Sequence, residues 1–432
     1  MNLSAELNWR GFVAENTIKN NQEIDDRRHK KFYSGADPSA DSLTIGNLAT
    51  LMMCACFVRH GYQPYLLVGG ATGQIGDPKE SGERELKTLD EIEHNKNCIR
   101  QQMESIISPD GAANTKDDGD PTNDHYQLTM VDNLDWFKQI NYLDFLRHIG
   151  KNFSMTQLLD RKFIQNRIGE GGSGISYAEF SYTLIQGYDF LHLYRTYGID
   201  LQLCGADQFG NASTGVHLIK RLENARADVW STPLVIDPVS GRKFGKSEGN
   251  AVWLASKDNG SGNFTSVFDF YQFWLNQADS AVEYLIKIYT VFTKPEIEQI
   301  LASHSQDPSQ RQAQKALAKG VTEVVHGKKS AEAAILLTDL LFGGRHIEAL
   351  SESEIESITL LLPTLQLSTH DGRISLLDAL IATNLCNSRS EAKQLVISNA
   401  ISINGKKTTD PNLEISTLSI IKRGKNKFAL VK

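Results

Sequence analysis

The stretch GRKFGKSEG, at residues 241–249, carries side chains suited to binding phosphate. Lys243 and Lys246 lie three positions apart, and Ser247 adds a hydroxyl group. Two ammonium groups and a hydroxyl can stabilise the negative charge that develops on a departing pyrophosphate, and such stabilisation is often the largest contribution to catalysis. Because pairs of lysines are also common in solvated loops, the stretch indicates a phosphate-binding loop only together with other motifs.

Two better-known phosphate motifs do not fit. The P-loop motif G-x-x-x-x-G-K-[ST] needs a glycine where this chain has Ser240, and the residues that follow are poor helix formers. Gly169, Gly171 and Gly174 match the dinucleotide motif G-x-G-x-x-G, but the residues before them are typical of a charged helix instead of a buried strand. We therefore interpret residues 241–249 as a flexible loop that binds phosphate through its side chains.

A second group of polar residues follows an early strand, in the segment YSGADPSADSLTIGN. A glycine at such a turn lets a nucleotide lie close to the backbone, and the N-terminus of the next helix favours phosphate. The segment predicts a nucleotide-binding turn with six candidate residues: Gly35, Asp37, Ser39, Thr44, Gly46 and Asn47.

Three further segments add polar residues after predicted strands or on a helix. GGATGQIGDP contains Asp77, and LCGADQFGN contains an acid followed by an amide. In FSYTLIQGYDF, spacings of four and three place Tyr182, Gln186 and Asp189 on one helical face.

The elements that must position these residues alternate between strand and helix. Residues 30–35 are predicted to form a strand, apolar residues recur at helical spacing from Leu48 to Gly61, and PYLLVGG is typical of a buried strand. Residues 198–205 and 232–238 are predicted to be further strands. The chain is therefore predicted to be an α/β protein with a Rossmann-like parallel sheet as its catalytic core.

Composition excludes several classes of protein. The 432 residues are 40% hydrophobic and 22% charged, and no stretch approaches the ~20 apolar residues that a membrane helix needs. The polar beginning of the chain is a poor targeting signal. The five cysteines, odd in number and without zinc spacing, favour a reducing cytoplasm and no tightly bound metal.

The end of the chain differs from the rest in charge. Residues 374–432 contain nine Lys/Arg and four Asp/Glu, although the whole chain has a net charge of −7. Their pattern predicts a small α+β module in which SRSEAKQLVISNA is a helix and LSIIKRGKNKFALVK a terminal hairpin. The positive charge indicates a polyanionic partner, although a solvated surface would explain the charge equally well.

In combination, these segments resemble bacterial-type tyrosyl-tRNA synthetases, which are class I aminoacyl-tRNA synthetases. The motifs GGATGxIGDP, FSYxxxQxYDF, DQxGN, KFGKS and FYQFW occur in the family's order over essentially the whole chain. The resemblance implies the following domains: a Rossmann-like catalytic domain at 1–240 with a dimerisation insertion at roughly 125–185, a mobile KFGKS loop and linker at 241–262, a helical anticodon-arm domain at 263–345, a linker at 346–373, and an S4-like tRNA-binding domain at 374–432.

The resemblance also implies an activity and its residues. Tyrosine would react with ATP, accompanied by Mg²⁺, to give tyrosyl-adenylate, and would then pass to tRNA(Tyr); the enzyme would be a homodimer. The implied catalytic residues are Lys243, Lys246, Ser247, Thr44 and Asn47. The implied tyrosine-binding residues are Tyr33, Asp77, Tyr182, Gln186, Asp189 and Gln208. The implied ATP-binding residues are Gly35, Asp37, Ser39, Thr44, Gly46, Asn47, Gly205, Asp207, Lys243 and Lys246. The implied tRNA-binding residues are Arg389, Lys393, Lys406, Lys422, Arg423 and Lys425.

One motif departs from the family. The family's second signature usually begins with histidine, whereas this chain has Thr44 and ends the motif with Asn47. Because a threonine hydroxyl reaches less far than an imidazole, we expect phosphate binding to depend more on Lys243 and Lys246.

Two other functions remain open from the sequence. One is an RNA-binding protein that keeps the synthetase frame with weakened catalysis, which Thr44 favours. The other is tryptophan specificity on the same fold. An acid at Asp189 beside Tyr33 suits a phenol, which donates and accepts hydrogen bonds, better than an indole, which only donates.

Overall fold

The computed structural model describes most of the chain, and its described residues form two compact units. The described residues are 1–78, 85–108, 127–154, 159, 162–169, 171–236, 241, 244, 246–247, 250–367, 372–415, 418–424 and 427–432. The first unit comprises Met1–Thr265 and Trp274–Val325, and the second comprises Ser266–Phe273 and His326–Lys432. In the described part of the chain, no helix combines the length and the apolar character needed to cross a bilayer.

A parallel sheet of five strands is the centre of the first unit. Its strands are β1 (Lys31–Ala36), β2 (Gln63–Val68), β3 (Thr129–Asp132), β4 (Leu201–Gly205) and β5 (Asp228–Thr232). They lie side by side in the order β3-β2-β1-β4-β5, and every neighbouring pair is parallel. The order reverses between β1 and β4, where Rossmann-like sheets bind ligands at the carboxyl ends of their strands. The predicted fold class is confirmed.

The helices of the first unit lie between and after these strands. Up to β5 they are α1 (Leu3–Arg10), α2 (Gln22–Asp25), α3 (Ile45–Arg59), α4 (Leu89–Ile106), α5 (Leu134–Phe137), α6 (Tyr142–His148), α7 (Lys162–Ile168), α8 (Tyr177–Tyr197) and α9 (Phe209–Glu223). A short hairpin of β6 (Lys246–Ser247) and β7 (Asn250–Ala251) follows. The next helix, α10 (Val267–Leu275), belongs mostly to the second unit. The first unit then continues with α11 (Asp279–Tyr289), α12 (Lys294–Gln306) and α13 (Gln312–His326).

Two helices position most of the predicted site. Helix α3 is buried along most of its length, and Gly61, with φ +84°, lies just beyond its end. Helix α8 begins where the side chain of Ser176 accepts a hydrogen bond from the backbone of Glu179. It packs closely on α9, because a Cβ on Gly187 would lie 2.9 Å from the hydroxyl of Thr214. This close packing fixes α8 against its neighbour.

The predicted strand at 232–238 is wrong in position. The strand lies earlier, at Asp228–Thr232, and ends before Pro233. Proline has no backbone N–H to donate to a neighbouring strand, so the paired segment stops there. The strands predicted at 30–35, in PYLLVGG and at 198–205 correspond to β1, β2 and β4.

The second unit contains the small α+β module that the sequence predicts. Its helices are α14 (Lys328–Phe342), α15 (Glu352–Thr359), α16 (Leu376–Ala382) and α17 (Arg389–Ile397). Its strands are β8 (Thr364–Leu365), β9 (Ile374–Ser375), β10 (Ile401–Ile403), β11 (Lys406–Lys407), β12 (Glu414–Ile415), β13 (Ser419–Arg423) and β14 (Lys427–Val431). The larger sheet has the order β11-β10-β13-β14-β8, and β13 and β14 form the predicted terminal hairpin. The functional domain boundaries implied by the family resemblance stay predictions.

Candidate active site

A buried polar pocket lies between β1 and α8. Tyr33, on β1, and Asp189, on α8, are each only 2% exposed. One oxygen of Asp189 accepts a hydrogen bond from the Nε1 of Trp136 at 2.9 Å, and the other accepts one from the Nδ2 of Asn133 at 3.1 Å. The ring of Tyr33 meets that of Phe190 edge-on, and its hydroxyl has no hydrogen-bond partner among the described residues. A buried hydroxyl of this kind needs a partner, which a ligand can supply.

Burial controls the protonation of this pocket. It raises the pKa of Asp189 to about 8, although the hydrogen bonds from Asn133 and Trp136 act to lower it. Burial and the nearby charge of Asp189 also raise the pKa of Tyr33 well above its usual range, so this hydroxyl keeps its proton. The hydroxyl and the carboxyl together can bind a group that both donates and accepts a hydrogen bond.

A second polar cluster centres on Asp37, which follows β1. One of its carboxylate oxygens accepts from the hydroxyl of Tyr182 at 2.6 Å, and the other accepts from the hydroxyl of Thr72 at 2.6 Å. Burial raises the pKa of Tyr182, and the charges of Asp37, Asp77 and Asp189 raise it further. Three carboxyl groups therefore surround Tyr182, an environment that attracts a cation such as an ammonium group.

Asp77 connects this cluster to the end of β4. Its two carboxylate oxygens accept from the Nε2 of Gln208 at 2.8 Å and from the Nδ2 of Asn211 at 3.3 Å. On α8, the side-chain oxygen of Gln186 is buried without a hydrogen-bond partner in the described part of the chain. The structure thus brings four predicted tyrosine-binding residues into one cluster with Asp37: Asp77, Tyr182, Asp189 and Gln208.

The first turn of α3 is open to a ligand. Gly46 and Asn47 are exposed there, although the helix is otherwise mostly buried. The side-chain oxygen of Asn47 accepts from the backbone N–H of Thr44 at 3.0 Å and from its hydroxyl at 2.9 Å. Thr44 therefore uses its hydroxyl to orient Asn47 at the helix N-terminus, where backbone N–H groups favour phosphate.

Glycines let side chains and ligands approach the carboxyl edge of the sheet. Gly35 is exposed although it lies on the central strand β1. Ser39, in the turn that follows, is also exposed. A Cβ on Gly69 would lie 2.2 Å from the Asp37 carboxylate, and one on Gly205 would lie 2.7 Å from the carboxylate of Asp207. Only glycine fits at both positions without displacing a site carboxylate.

The predicted phosphate loop is described in part. Lys246 and Ser247 form β6, which pairs with β7 in antiparallel fashion, whereas Lys243 lies outside the described residues. Phe244 is buried, and its ring centroid lies 5.6 Å from that of Trp274 and 6.1 Å from that of Tyr289. An apolar side chain thus anchors the loop, and the roles of its lysines stay predictions.

The predicted tRNA-binding residues of the second unit have different surroundings. Arg389 is paired with Asp378, and Arg423 is paired with Glu391 and donates to the carbonyl of Leu385. The ammonium of Lys422 lies over the rings of Phe342 and Phe428, at 5.2 and 5.4 Å. Lys393 and Lys406 are exposed and have no ion-pair partner among the described residues. Lys425 lies outside the described residues.

Three residues of the pocket were not predicted from the sequence. They are Thr72, Asn133 and Trp136, which bind the carboxylates of Asp37 and Asp189. Thr72 lies within the motif GGATGQIGDP, and Asn133 is the first residue after β3. A polar residue directly after a strand is the signal that would have pointed to Asn133, since ligands bind at that edge.

The parallel sheet and the polar pocket at its carboxyl edge define a Rossmann-like enzyme core. Comparisons with known proteins specify the kind of enzyme. Residues 25–343 match the family of tRNA synthetases class I (W and Y), and residues 354–431 match the tyrosine--tRNA ligase SYY-like C-terminal domain. The chain belongs to the class I tRNA synthetases, and within them to the family of the tyrosine--tRNA ligases.

Individual relatives are similar over nearly the whole chain. A tyrosine--tRNA ligase of Staphylococcus haemolyticus is 37% identical over 441 residues, which cover 99% of this chain and 98% of that protein. One of Streptococcus agalactiae is 36% identical, with 99% of both chains covered. Among solved structures, a C-terminally truncated mitochondrial tyrosyl-tRNA synthetase of Coccidioides posadasii has a TM-score of 0.66 at 28% identity, over 77% of this chain and 91% of that chain.

Proposed function

We propose that the chain acts as a tyrosine--tRNA ligase in which Tyr33 and Asp189 bind the phenol of the substrate. The enzyme uses ATP to convert L-tyrosine into tyrosyl-adenylate and then transfers tyrosine to the 3′ end of tRNA(Tyr). The observation that carries the substrate assignment is the buried, unpartnered hydroxyl of Tyr33 close to the buried carboxyl of Asp189. A phenol that donates to Asp189 and accepts from Tyr33 satisfies both groups.

The same pocket disfavours the two nearest amino acids. Phenylalanine would leave the buried hydroxyl of Tyr33 unpaired, which costs about 1–3 kcal/mol. Tryptophan can donate through its indole N–H but cannot accept from Tyr33. Asp37, Asp77 and Gln186 offer oxygen atoms for the ammonium group of the amino acid, and they lie around Tyr182.

Activation needs no nucleophilic side chain. An oxygen of the tyrosine carboxylate attacks the α-phosphorus of ATP, the bond from that phosphorus to the oxygen bridging to the β-phosphate breaks, and pyrophosphate leaves. The chain's contribution is to position the reactants and to stabilise the developing charge. We assign the phosphates to the first turn of α3 and to Lys243, Lys246 and Ser247. Mg²⁺ enters bound to ATP as part of the substrate.

The ribose of the adenylate is assigned to the carboxyl end of β4. Gly205 lets the carboxylate of Asp207 lie close to the backbone there, and that carboxylate can accept from ribose hydroxyls. Gln208, which donates to Asp77, lies beside the amino-acid cluster and is assigned to the carboxylate of tyrosine.

Pyrophosphate exchange into ATP tests the proposal. The assay is run with tyrosine, tryptophan and phenylalanine, on the natural chain and on Tyr33→Phe. We expect exchange with tyrosine alone, and a loss of about tenfold in kcat/KM for tyrosine in Tyr33→Phe. Exchange supported by tryptophan would favour the tryptophanyl alternative. No exchange with any of the three would favour an RNA-binding protein with weakened catalysis.

The partners of the enzyme are part of the same proposal. The second unit binds tRNA(Tyr) through its exposed lysines, and two chains form a homodimer through the insertion at roughly 125–185. Large apolar side chains are exposed in that insertion, among them Tyr142 at 60%, Leu143 at 73% and Tyr177 at 61%. We also place the enzyme in the cytoplasm, which its five free cysteines support.

A further inference from the structure

Residues 252–263, here called the strap, join the phosphate loop to the beginning of α3. The strap starts directly after β7. Its Val252 carbonyl accepts from the backbone N–H of Ile45 at 3.1 Å, and the N–H of Leu254 donates to the carbonyl of Leu43 at 2.8 Å. Between these two hydrogen bonds, Thr44 and Trp253 form an antiparallel bridge. The β6–β7 hairpin of the phosphate loop thus continues into the strap, and the strap is hydrogen-bonded to the start of α3. The strap therefore links the two segments that are assigned to the phosphates.

A buried carboxylate is hydrogen-bonded to the strap. Asp41 is 1% exposed, and its Oδ1 accepts from the Nδ2 of Asn263 at 2.7 Å. Its backbone carbonyl accepts from the Nδ2 of Asn259 at 3.3 Å, and the hydroxyl of the adjacent Ser42 accepts from the N–H of Ala255 at 2.9 Å. The Oδ2 of Asp41 has no hydrogen-bond partner among the described residues. Among the described residues, Asn263 is thus the side chain that donates a hydrogen bond to the fully buried carboxylate of Asp41.

The turn that carries Asn263 is itself ordered by an acid. The Oδ1 of Asp258 accepts from the backbone N–H groups of Gly260 and Gly262, both at 2.8 Å. These two hydrogen bonds lower the pKa of Asp258 below its usual range. Gly260 and Gly262 have φ angles of +114° and +72°, which favour glycine. The turn therefore holds Asn263 in one place facing Asp41.

The other side of the loop is anchored to the same helix. Phe244 packs against the ring of Tyr289, whose hydroxyl donates to the carbonyl of Ile45 at 3.0 Å. Both anchors of the loop therefore reach the first turn of α3.

A buried carboxylate such as that of Asp41 costs folding free energy unless it is well paired, and an apolar contact would join two segments without that cost. A charged hydrogen bond, by contrast, fixes direction and distance.

We propose that Asp41, acting through Asn263, is a positioning residue for tyrosine activation. The pair fixes the strap, and the strap fixes the β6–β7 hairpin, which contains Lys246 and Ser247, relative to the N-terminus of α3. This inference rests on the proposed function, because it assumes that the loop and the helix N-terminus act on the same phosphates. A displacement of about 1 Å of such groups can cost up to about a hundredfold in rate.

Pyrophosphate exchange and thermal unfolding of single variants give the first test. We expect Asn263→Ala to lower kcat about tenfold with the KM for tyrosine little changed, because the tyrosine pocket lies on other elements. The melting temperature should also fall, because a buried carboxylate loses its side-chain donor. Asp41→Asn keeps an acceptor for Asn263 and should retain most of the activity. Ser261→Ala, an exposed change in the same turn, is the matched control and should behave as the natural chain. An unchanged kcat in Asn263→Ala, or equal losses in kcat and in tyrosine binding, would overturn the inference.

A double-mutant cycle with Lys246→Ala decides whether the pair acts through the loop. If it does, Asn263→Ala should have little further effect on kcat once Lys246 is absent. Losses that multiply would overturn the inference and leave the proposed function intact. A Lys246→Ala variant with unchanged exchange would overturn both the loop's assigned role and the inference that depends on it.

Discussion

At the scale of single residues, Trp136 makes one side-chain hydrogen bond in the pocket proposed to bind tyrosine. Its Nε1 donates to Asp189 at 2.9 Å, while its ring stacks on His192 with centroids 4.4 Å apart. Trp136→Phe keeps an aromatic ring but removes the donor. Since a buried acceptor that loses its donor costs about 1–3 kcal/mol, we expect the KM for tyrosine to rise about tenfold and the KM for ATP to stay constant. Exchange kinetics at varied tyrosine and ATP measure both, and an effect confined to ATP would contradict the assignment.

The same residue shows how far the site could be predicted. Tyr182, Gln186 and Asp189 follow from helical spacing, because residues three and four apart share a face. Asn133 and Trp136 bind Asp189 from 56 and 53 positions away along the chain. No local pattern encodes such an approach, since it depends on the sheet order that brings β3 to the same side of the molecule as α8.

At the scale of elements, the ends of three strands opposite the site are joined by one buried histidine. His29 precedes β1, and its ring nitrogens lie 3.0 Å from a carboxylate oxygen of Asp200 and 3.3 Å from one of Asp228. Burial alone would lower the pKa of His29, but the interaction with the two carboxylates outweighs it and raises the pKa to about 9. His29 is therefore charged at neutral pH, and it connects β1 to the starts of β4 and β5.

Removing that charge should destabilise the sheet in a pH-dependent way. His29→Ala removes the cation shared by Asp200 and the buried Asp228, but Arg226 stays paired with Asp228. We therefore expect a loss of about 1–3 kcal/mol of unfolding free energy. A raised histidine pKa stabilises the fold fully below the unfolded value of about 6.5 and loses this effect as pH rises through about 9. Urea unfolding should thus show a gap between the natural chain and His29→Ala that narrows from pH 7 to pH 10. His60→Ala, which disrupts a less buried pair with Glu6, is the matched control; a gap that does not depend on pH would contradict the argument.

The elements themselves were partly predictable. Helix α3 and strands β1, β2 and β4 have apolar patterns that match their periods, so the sequence predicts them and the βαβ topology that follows. The strand predicted at 232–238 was displaced because apolar residues continue past Pro233, although the paired backbone cannot. The strap could not be predicted, because its hydrogen bonds join residues 41–45 to residues 252–263, which lie far apart along the chain, and no local pattern encodes that contact.

At the scale of the whole molecule, the exposed apolar side chains of the insertion predict assembly. Helix α6 has no buried residue in the single chain, and Leu143 on it is 73% exposed. Leu143→Glu would place a charge in the proposed dimer interface, so we expect sedimentation velocity to show a shift from dimer to monomer. Leu360→Glu, at a position 80% exposed in the second unit, is the matched control and should leave the dimer intact. A natural chain that sediments as a monomer would refute the homodimer.

The charged surface of the second unit predicts how the enzyme meets tRNA. Arg389 and Arg423 are paired with acids, whereas Lys393 and Lys406 are exposed without an ion-pair partner in the described residues. The free lysines are therefore the better candidates for contacts with phosphates. Replacing both lysines by alanine should weaken tRNA binding and make it less sensitive to salt. Each phosphate contact contributes about 0.7–0.9 to the slope of log affinity against log salt concentration, so the loss of two contacts should reduce that slope by about 1.5.

Tyrosine-dependent exchange should be unaffected in the same variant, because that step needs no tRNA. Arg389→Ala serves as the comparison, since its guanidinium already binds Asp378 and its loss should change the slope less. A double lysine variant with the natural slope would remove these two residues from the tRNA surface. A parallel loss of exchange and charging would instead mean that the substitutions disturb the first unit, and the second unit could not then be regarded as a separate tRNA-binding surface.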